Sequence, residues 1–389
     1  MANTRFAAPV RQASSPAAQA APMPTLPFII GARNATRFSF QLPVTALGAG
    51  TVPLPPVQIP AVGYLKKLTL EVTVAGTGGT TPAFTADAPF NVLQSVELRN
   101  SSGNDLIVPV TGYQLMTINK YGCQTVDAPW SDPRGDQQFS AVAPSAHFFL
   151  DVPCEISPAD GFGAIPALAS NRSYQLAIIL GSLATLVSGG PTANVTITGT
   201  AYYYTEPVAQ TQGGVAQVTA PPFNGSLNLW QFEGLPVTPG DKYIKLNNVG
   251  NVLRTLIFTA RNVTGVRSDA DWPGISELYL DNSPMFYKPA NLWLSEMSRI
   301  YGFQQGTAKD TIRTLDTGVY VIPFFALAEG NAMANARRSQ YLPTLDASQL
   351  QLRGTSWGPG ASTLEVLTNS VQPVNPTTGS SSSALYGIM

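Results

Sequence analysis

Along much of the chain apolar residues alternate with polar ones, the period of a strand with one buried face. In "GYLKKLTLEVTV" Leu68, Leu70, Val72 and Val74 fall on one face, with Thr69, Glu71 and Thr73 on the other. "ANVTITGTAYYYT" does the same over Val195, Ile197, Gly199, Ala201 and Tyr203, and "NVLQSVELRNSSGNDLIVPV" predicts two strands joined by a turn at Ser-Ser-Gly-Asn. The period changes in two places. "TGYQLMTINKYG" sets Leu115, Ile118 and Tyr121 at helical spacing, with Gly122 as the stop. Behind Pro289, residues Trp293, Met297, Ile300 and Tyr301 stand at i, i+4, i+7 and i+8, the apolar stripe of a second and stronger helix. It is expected to cap one end of a β sandwich, a membrane or partner helix being the other reading.

The order of these elements occurs twice. "GNVLRTLIFTARN" answers "GYLKKLTLEVTV", "PGISELYLDNSPMFYKPANLWLSEMSRIYGF" answers the stretch from "FNVLQSVELRN" to "INKYGC", "GVYVIPFF" answers "HFFLDVP", "SQLQLRG" answers "YQLAIIL", and "STLEVLTN" answers "NVTITGTAY". The offset is 187 at the glycine pair Gly63 and Gly250, 180 at the tyrosine pair Tyr121 and Tyr301, and 170 at the proline pair Pro153 and Pro323. A shrinking offset in constant element order describes a duplicated unit whose second copy has shorter connections.

Length supports the same division, since 389 residues exceed one ordinary domain. Only 12% of the residues are charged, against 33 prolines and 34 glycines, which is the composition of a loop-rich β protein. A formal net charge of -1 with the basic residues scattered leaves no footprint for direct nucleic-acid binding and no polybasic stretch for a membrane surface. Residues 1–25, built of Ala, Pro, Gln and Ser with Arg5 and Arg11, have too little apolar area to form a core and are read as a flexible arm. They lack the continuous apolar run of a signal peptide, and no later stretch has the length to span a bilayer. The two cysteines, Cys123 and Cys154, are in no metal-ligand spacing and are expected as buried free thiols, a disulfide being the alternative.

Catalytic chemistry is poorly supplied. His147 is the only histidine and lies in an apolar run before Phe148 and Phe149, so it is read as a structural or surface imidazole and not a general base. There is no Gly-x-Ser-x-Gly elbow, and the glycines of "AGTGGTT" precede no Lys-Ser or Lys-Thr. Asp269 and Asp271 in "SDADWPG" would offer oxygens to calcium, but two aspartates without a third acidic ligand are read first as a solvated loop. Arg337 and Arg338 would meet a neighbour's carboxylate or lipid phosphates, an exposed pair being the plain reading. No catalytic, cofactor or metal residue is assigned.

Each half supplies about eight short strands with one helix between the early and late ones, which suits an eight-stranded jelly roll. In that arrangement, carried by "GYLKKLTLEV", "NVLQSVELRN" and "GYQLMTINKYG" in one half and "NVLRTLIFTARN", "ISELYLDN", "LSEMSRIYGF" and "GVYVIPFF" in the other, the chain resembles the double jelly-roll major capsid proteins of tectivirus-like viruses, tailless and icosahedral with double-stranded DNA and an internal membrane. The resemblance covers about residues 27–370. It implies an all-β fold of two tandem eight-stranded jelly rolls with short helices: an arm at 1–25, a first barrel at 26–207, a linker at 208–225, a second barrel at 226–372 and a tail at 373–389. It further implies a homotrimer forming pseudo-hexagonal capsomers, penton or minor capsid proteins as partners, contact of the arm with membrane lipids, and a place in the virion after assembly in the host cytoplasm. The loops after Val74 and Val263 stand at equivalent places and are the candidates for towers. The competing reading is a tandem β-sandwich lectin or adhesin that stacks sugars on loop aromatics such as Trp272 or Trp357; a hydrolase built on His147 ranks third.

Overall fold

The structure, a computed structural model, describes residues 25–32, 36–60, 62–79, 84–100, 103, 105–122, 145–167, 174–207, 216–301, 316–324 and 341–372. Arg5 and Arg11, Cys123, Arg337 and Arg338, and the tail at 373–389 lie outside the described residues.

Sixteen principal strands fall into two sets of eight. The first set is β1 (Thr36–Gln41), β2 (Val57–Ile59), β3 (Tyr64–Thr77), β4 (Leu93–Asn100), β5 (Asp105–Val110), β6 (Ser145–Pro153), β7 (Tyr174–Leu180) and β8 (Thr192–Tyr204). The second is β9 (Leu227–Pro236), β10 (Gly240–Leu246), β11 (Val252–Asn262), β12 (Ile275–Leu280), β13 (Ser283–Pro289), β14 (Val319–Pro323), β15 (Leu350–Trp357) and β16 (Ala361–Gln372). In the first barrel one sheet runs β1, β8, β3, β6 and the other β2, β7, β4, β5; in the second barrel one runs β9, β16, β11, β14 and the other β10, β15, β12, β13. Strand for strand the connectivity is the same, so the ordered repeat in the sequence corresponds to two jelly rolls. All pairings within each barrel are antiparallel.

Alternation in the sequence becomes the two faces of each sheet. Leu68, Leu70, Val72 and Val74 of β3 are buried, as are Val195, Ile197, Ala201 and Tyr203 of β8 opposite them. Each such side chain removed from water contributes about 1.5–3 kcal/mol relative to remaining exposed. Strand β11 departs from period two, because every residue from Val252 to Ala260 is buried. One of its faces lines the core of the second barrel, and the other is turned to the first.

The barrels are joined edge to edge. Strand β5 of the first pairs in parallel with β9 of the second through Ile107 and Trp230, and the two sheets become one ten-stranded sheet. Helix α1 (Gly112–Thr117) starts from a capping box made by Thr111 and Gln114 and continues as a π-helical turn to Gly122, buried throughout. Gly122 closes the helix at a place where a side chain has no room: a Cβ there would come within 2.2 Å of the Trp230 ring. Helix α2 (Ala290–Tyr301) buries Trp293, Met297 and Tyr301. Its Trp293 packs on Phe286 of β13, stands 5.6 Å from the Tyr320 ring of β14 and donates its indole N–H to the Val321 carbonyl at 2.9 Å, so the helix spans the edge strands of both sheets of the second barrel. No helix among the described residues is long and apolar enough to cross a membrane.

The N-terminal strand Thr25–Leu26 pairs in parallel with Ala216–Gln217, in the stretch that links the barrels. Phe28 then packs edge-on against Tyr64 and Tyr204, at the end of the first barrel where β3 begins and β8 finishes.

Candidate functional site

The richest polar chemistry lies between the barrels. Strand β11 carries Arg261 as its penultimate residue, and the loop behind it carries Arg267; both reach Asp87 in the corresponding loop of the first barrel. Arg267 donates from Nε to Asp87 Oδ1 at 2.7 Å, from Nη2 to the Ala86 carbonyl at 2.6 Å and from Nη1 to the Thr317 carbonyl at 3.0 Å. Arg261 Nη2 stands 2.9 Å from Asp87 Oδ2, and its Nε donates to Glu365 at 2.7 Å. The Arg267 guanidinium lies 4.5 Å above the Tyr113 ring of α1. Burial opposes the charge on both arginines, yet both guanidinium groups are held above their ordinary range: Asp87 and Glu365 outweigh burial at Arg261, and Tyr113 and Asp87 do so at Arg267. Tyr113 itself is pushed up by burial.

A second clasp sits lower on α1. Lys120 Nζ is 2.7 Å from each carboxylate oxygen of Asp316, the two side chains being 4% and 0% exposed, and the Tyr121 hydroxyl donates to the same carboxylate. The Tyr121 ring meets Tyr301 of α2 edge-on at 5.2 Å. Here α1 is pinned to the second barrel by paired charges that a dry interface tolerates only with such geometry. Below it, Arg254 donates to Asn369 at 2.6 Å and to the Gly122 carbonyl at 3.3 Å. The register of β11 against β16 shifts between Leu253 and Thr255, a bulge that turns Arg254 toward the first barrel.

The residues weighed as chemical candidates are placed otherwise. His147 is on the outer face of the first barrel, its Nε2 2.9 Å from Glu71, which also accepts from Thr198 at 2.8 Å. Those hydrogen bonds, His147 first, hold the Glu71 carboxyl below its ordinary range. Asp269 and Asp271 are not a solvated loop. Asp269 accepts from the Gly318 amide at 2.7 Å and the Tyr320 hydroxyl at 3.3 Å, and buried Asp271 accepts from the Gly360 amide at 2.8 Å. They staple neighbouring loops, and no group of three metal-ligating side chains is present among the described residues. Trp272 and Trp357 are 3% and 4% exposed, so neither is a platform for sugar. Trp272 stacks on Tyr320 at 4.0 Å and meets Trp357 and Trp293 edge-on, forming the aromatic heart of the second barrel. Cys154 is a buried free thiol whose pKa is pushed up by burial.

Sequence reading missed Asp87, Arg261, Arg267, Lys120 and Asp316. The available signal was the pair of arginines, Arg254 and Arg261, inside a strand rich in bulky apolar residues. A charge in such a strand requires partners, and here they come from both barrels: Asn369 and Glu365 of the second, and the Gly122 carbonyl and Asp87 of the first.

No protein-family model and no curated protein matches the sequence. Solved structures do match it. The STIV MCP, the major capsid protein of Sulfolobus Turreted Icosahedral Virus, superposes with a TM-score of 0.60 at 14% identity, over 87% of this chain and 97% of that one. The capsid protein VP54 of PBCV-1, fitted into a reconstruction of the virophage Sputnik, gives 0.57 at 13% identity over 86% and 93%. The Faustovirus major capsid protein gives 0.50 at 7% identity over 86% and 90%. At such identities the likeness is one of fold, and it extends through both barrels: the chain has the double jelly-roll fold of these virus capsid proteins.

Proposed function

We propose that the chain is the major capsid protein of a tailless icosahedral virus with double-stranded DNA, and that its work is self-association, not a reaction. The observation that carries this reading is the pairing of two barrels of the same connectivity, fused through one sheet and clasped at Asp87 and Asp316, over the span shared with the capsid proteins above. Three such chains in a ring place six similar barrels around one axis, which gives a nearly hexagonal tile from a trimer. Uncovered apolar surface supports association. On the outer sheet of the second barrel Tyr243, Met285 and Tyr287 are about half exposed or more, and Leu292 of α2 joins them. The lectin reading has lost its aromatic platforms, because Trp272 and Trp357 are internal.

In this reading the partners are two further copies, other capsomers, and penton or minor capsid proteins. The particle is a virion assembled in the host cytoplasm, its shell enclosing a membrane that residues 1–25 approach, and the folded body makes no direct contact with nucleic acid. Light scattering at micromolar concentration tests the first step: three times the 41.2 kDa chain mass is expected, and a persistent monomer would refute the role. Removing residues 2–25 is expected to leave the trimer's melting temperature nearly unchanged while particles, viewed by electron microscopy, fail to form or become irregular; normal particles would reject an assembly role for the arm.

A further inference from the structure

The chain contains one junction between barrels and the two unjoined halves of another. Within the chain, β5, the fifth strand of the first barrel, meets β9, the first strand of the second. The helix behind β5, α1, lies along β11: the Arg261 guanidinium, near the strand's end, is 5.8 Å from the Tyr113 ring, and Arg254, near its start, donates to the Gly122 carbonyl. Covered in this way, every residue from Gly112 to Gly122 is buried.

The second barrel repeats these parts and leaves them open. Among the described residues its fifth strand, β13, pairs with β12 alone, and only Trp293, Met297 and Tyr301 of the following helix, α2, are buried. Leu292, Ser295 and Arg299 stand at i, i+3 and i+7 and make an exposed face, Leu292 being 50% exposed. Arg299 has no carboxylate partner among the described residues. The first barrel holds what would cover them. Its first strand, β1, pairs with β8 alone among the principal strands, and Phe149, Glu71, Thr198 and Gln41 form one row across the outer face of the sheet β6, β3, β8, β1. Phe149 is 36% exposed and Glu71 44%, whereas Asp151, the other carboxylate of that face, is 2.6 Å from Lys67.

We infer that α2 and the open edge of β13 in one copy dock on this outer face and on the β1 edge of a second copy, repeating between chains the junction that α1 and β5 make within one. Placed along β3 as α1 is placed along β11, α2 sets its first turn toward the strand's end and carries Arg299, in its last turn, over the middle of the strand. There the Arg299 guanidinium meets the Glu71 carboxylate, and Leu292 and Phe149 lose apolar surface to water in the same contact. Each copy gives one surface and receives on the other, so the contact is heterologous and propagates until a ring closes. The inference rests on the capsid reading and names the surfaces that its ring uses.

Photocrosslinking in the full chain tests it. With benzoylphenylalanine in place of Ser295, irradiation of a mixture of isotope-labelled and unlabelled chains is expected to link position 295 to peptides containing Glu71 or Phe149 of another copy. A trimer by light scattering whose links fall on other surfaces, or which gives no link, overturns the docking and leaves the capsid reading standing; a monomer overturns both. Charge reversal tests the pairing itself. Arg299→Glu and Glu71→Arg, each with unchanged circular dichroism, are expected to raise the concentration of half-dissociation about tenfold, and the two changes together to restore it. A double variant that associates as weakly as the single ones, or single variants that associate like the parent chain, overturn the assignment.

Discussion

At the scale of single residues, Gly122 shows how the join between the barrels constrains a position that looks like an ordinary helix stop. A methyl group there meets two atoms of the Trp230 ring at 2.2 and 2.3 Å, and that large ring, 1% exposed, would have to shift to admit it. Gly122→Ala is expected to cost about 1–3 kcal/mol, the range for overpacking a filled core, read as a lower urea midpoint with an unchanged slope. Glu71 makes a prediction of the opposite character, on an exposed face. Its folded-state pKa is lowered by the hydrogen bonds from His147 and Thr198. The stability it contributes is therefore present above the ordinary glutamate pKa and is lost as pH falls through the lowered one. Glu71→Gln is expected to make the melting temperature fall less steeply between neutral and acid pH than in the parent chain; equal slopes would mean that the contact is of no consequence in solution.

At the scale of elements, α1 is held to the second barrel by the Lys120 and Asp316 pair. Lys120→Met leaves a buried carboxylate without its cation and is expected to cost about 3–5 kcal/mol, whereas the double change Lys120→Met/Asp316→Leu is expected to recover most of that loss. Urea unfolding of the three variants decides it, and a double variant as unstable as the single one would contradict the argument. Elements were also what the sequence made legible. Strands such as β3 and β8 announce themselves because one face is core and one is not, and α2 does so through Trp293, Met297 and Tyr301. Where both faces are buried the pattern fades: Val252 to Ala260 read as a strand only through its likeness to β3, and nothing local said that its second face met another barrel. The clasp was illegible for a related reason. Asp87 and Arg267 are 180 residues apart, and a pairing at that distance leaves no spacing to recognise. The competing lectin reading rested on Trp272 and Trp357 because a tryptophan near a glycine- or proline-rich turn is equally consistent in sequence with a binding platform and with the core plug each of them is.

At the scale of the whole molecule, one apolar core runs from Leu68 and Phe148 in the first barrel through Trp230 to Leu256 and Trp293 in the second. Two barrels that share a core and a ten-stranded sheet are expected to melt as a single unit, although tandem domains commonly do not. Scanning calorimetry should show one transition. Two resolved transitions, one of them insensitive to Lys120→Met, would mean that the barrels are energetically separate.

The pairing order of β16 carries a consequence for the birth of the chain. The sixteenth strand does not lie at an edge; it is inserted between β9 and β11 in the middle of their sheet. While the polypeptide is being synthesised the first barrel can close as soon as β8 has left the ribosome, but β9 and β11 must wait, each with an open flank, until almost everything else has emerged. The second barrel is thus completed last and in one step. A chain interrupted between β11 and β16, after residue 262 and before residue 361, keeps two unpaired strand edges and gives chaperones and proteases a plain mark by which to tell an unfinished subunit from one ready to join its neighbours.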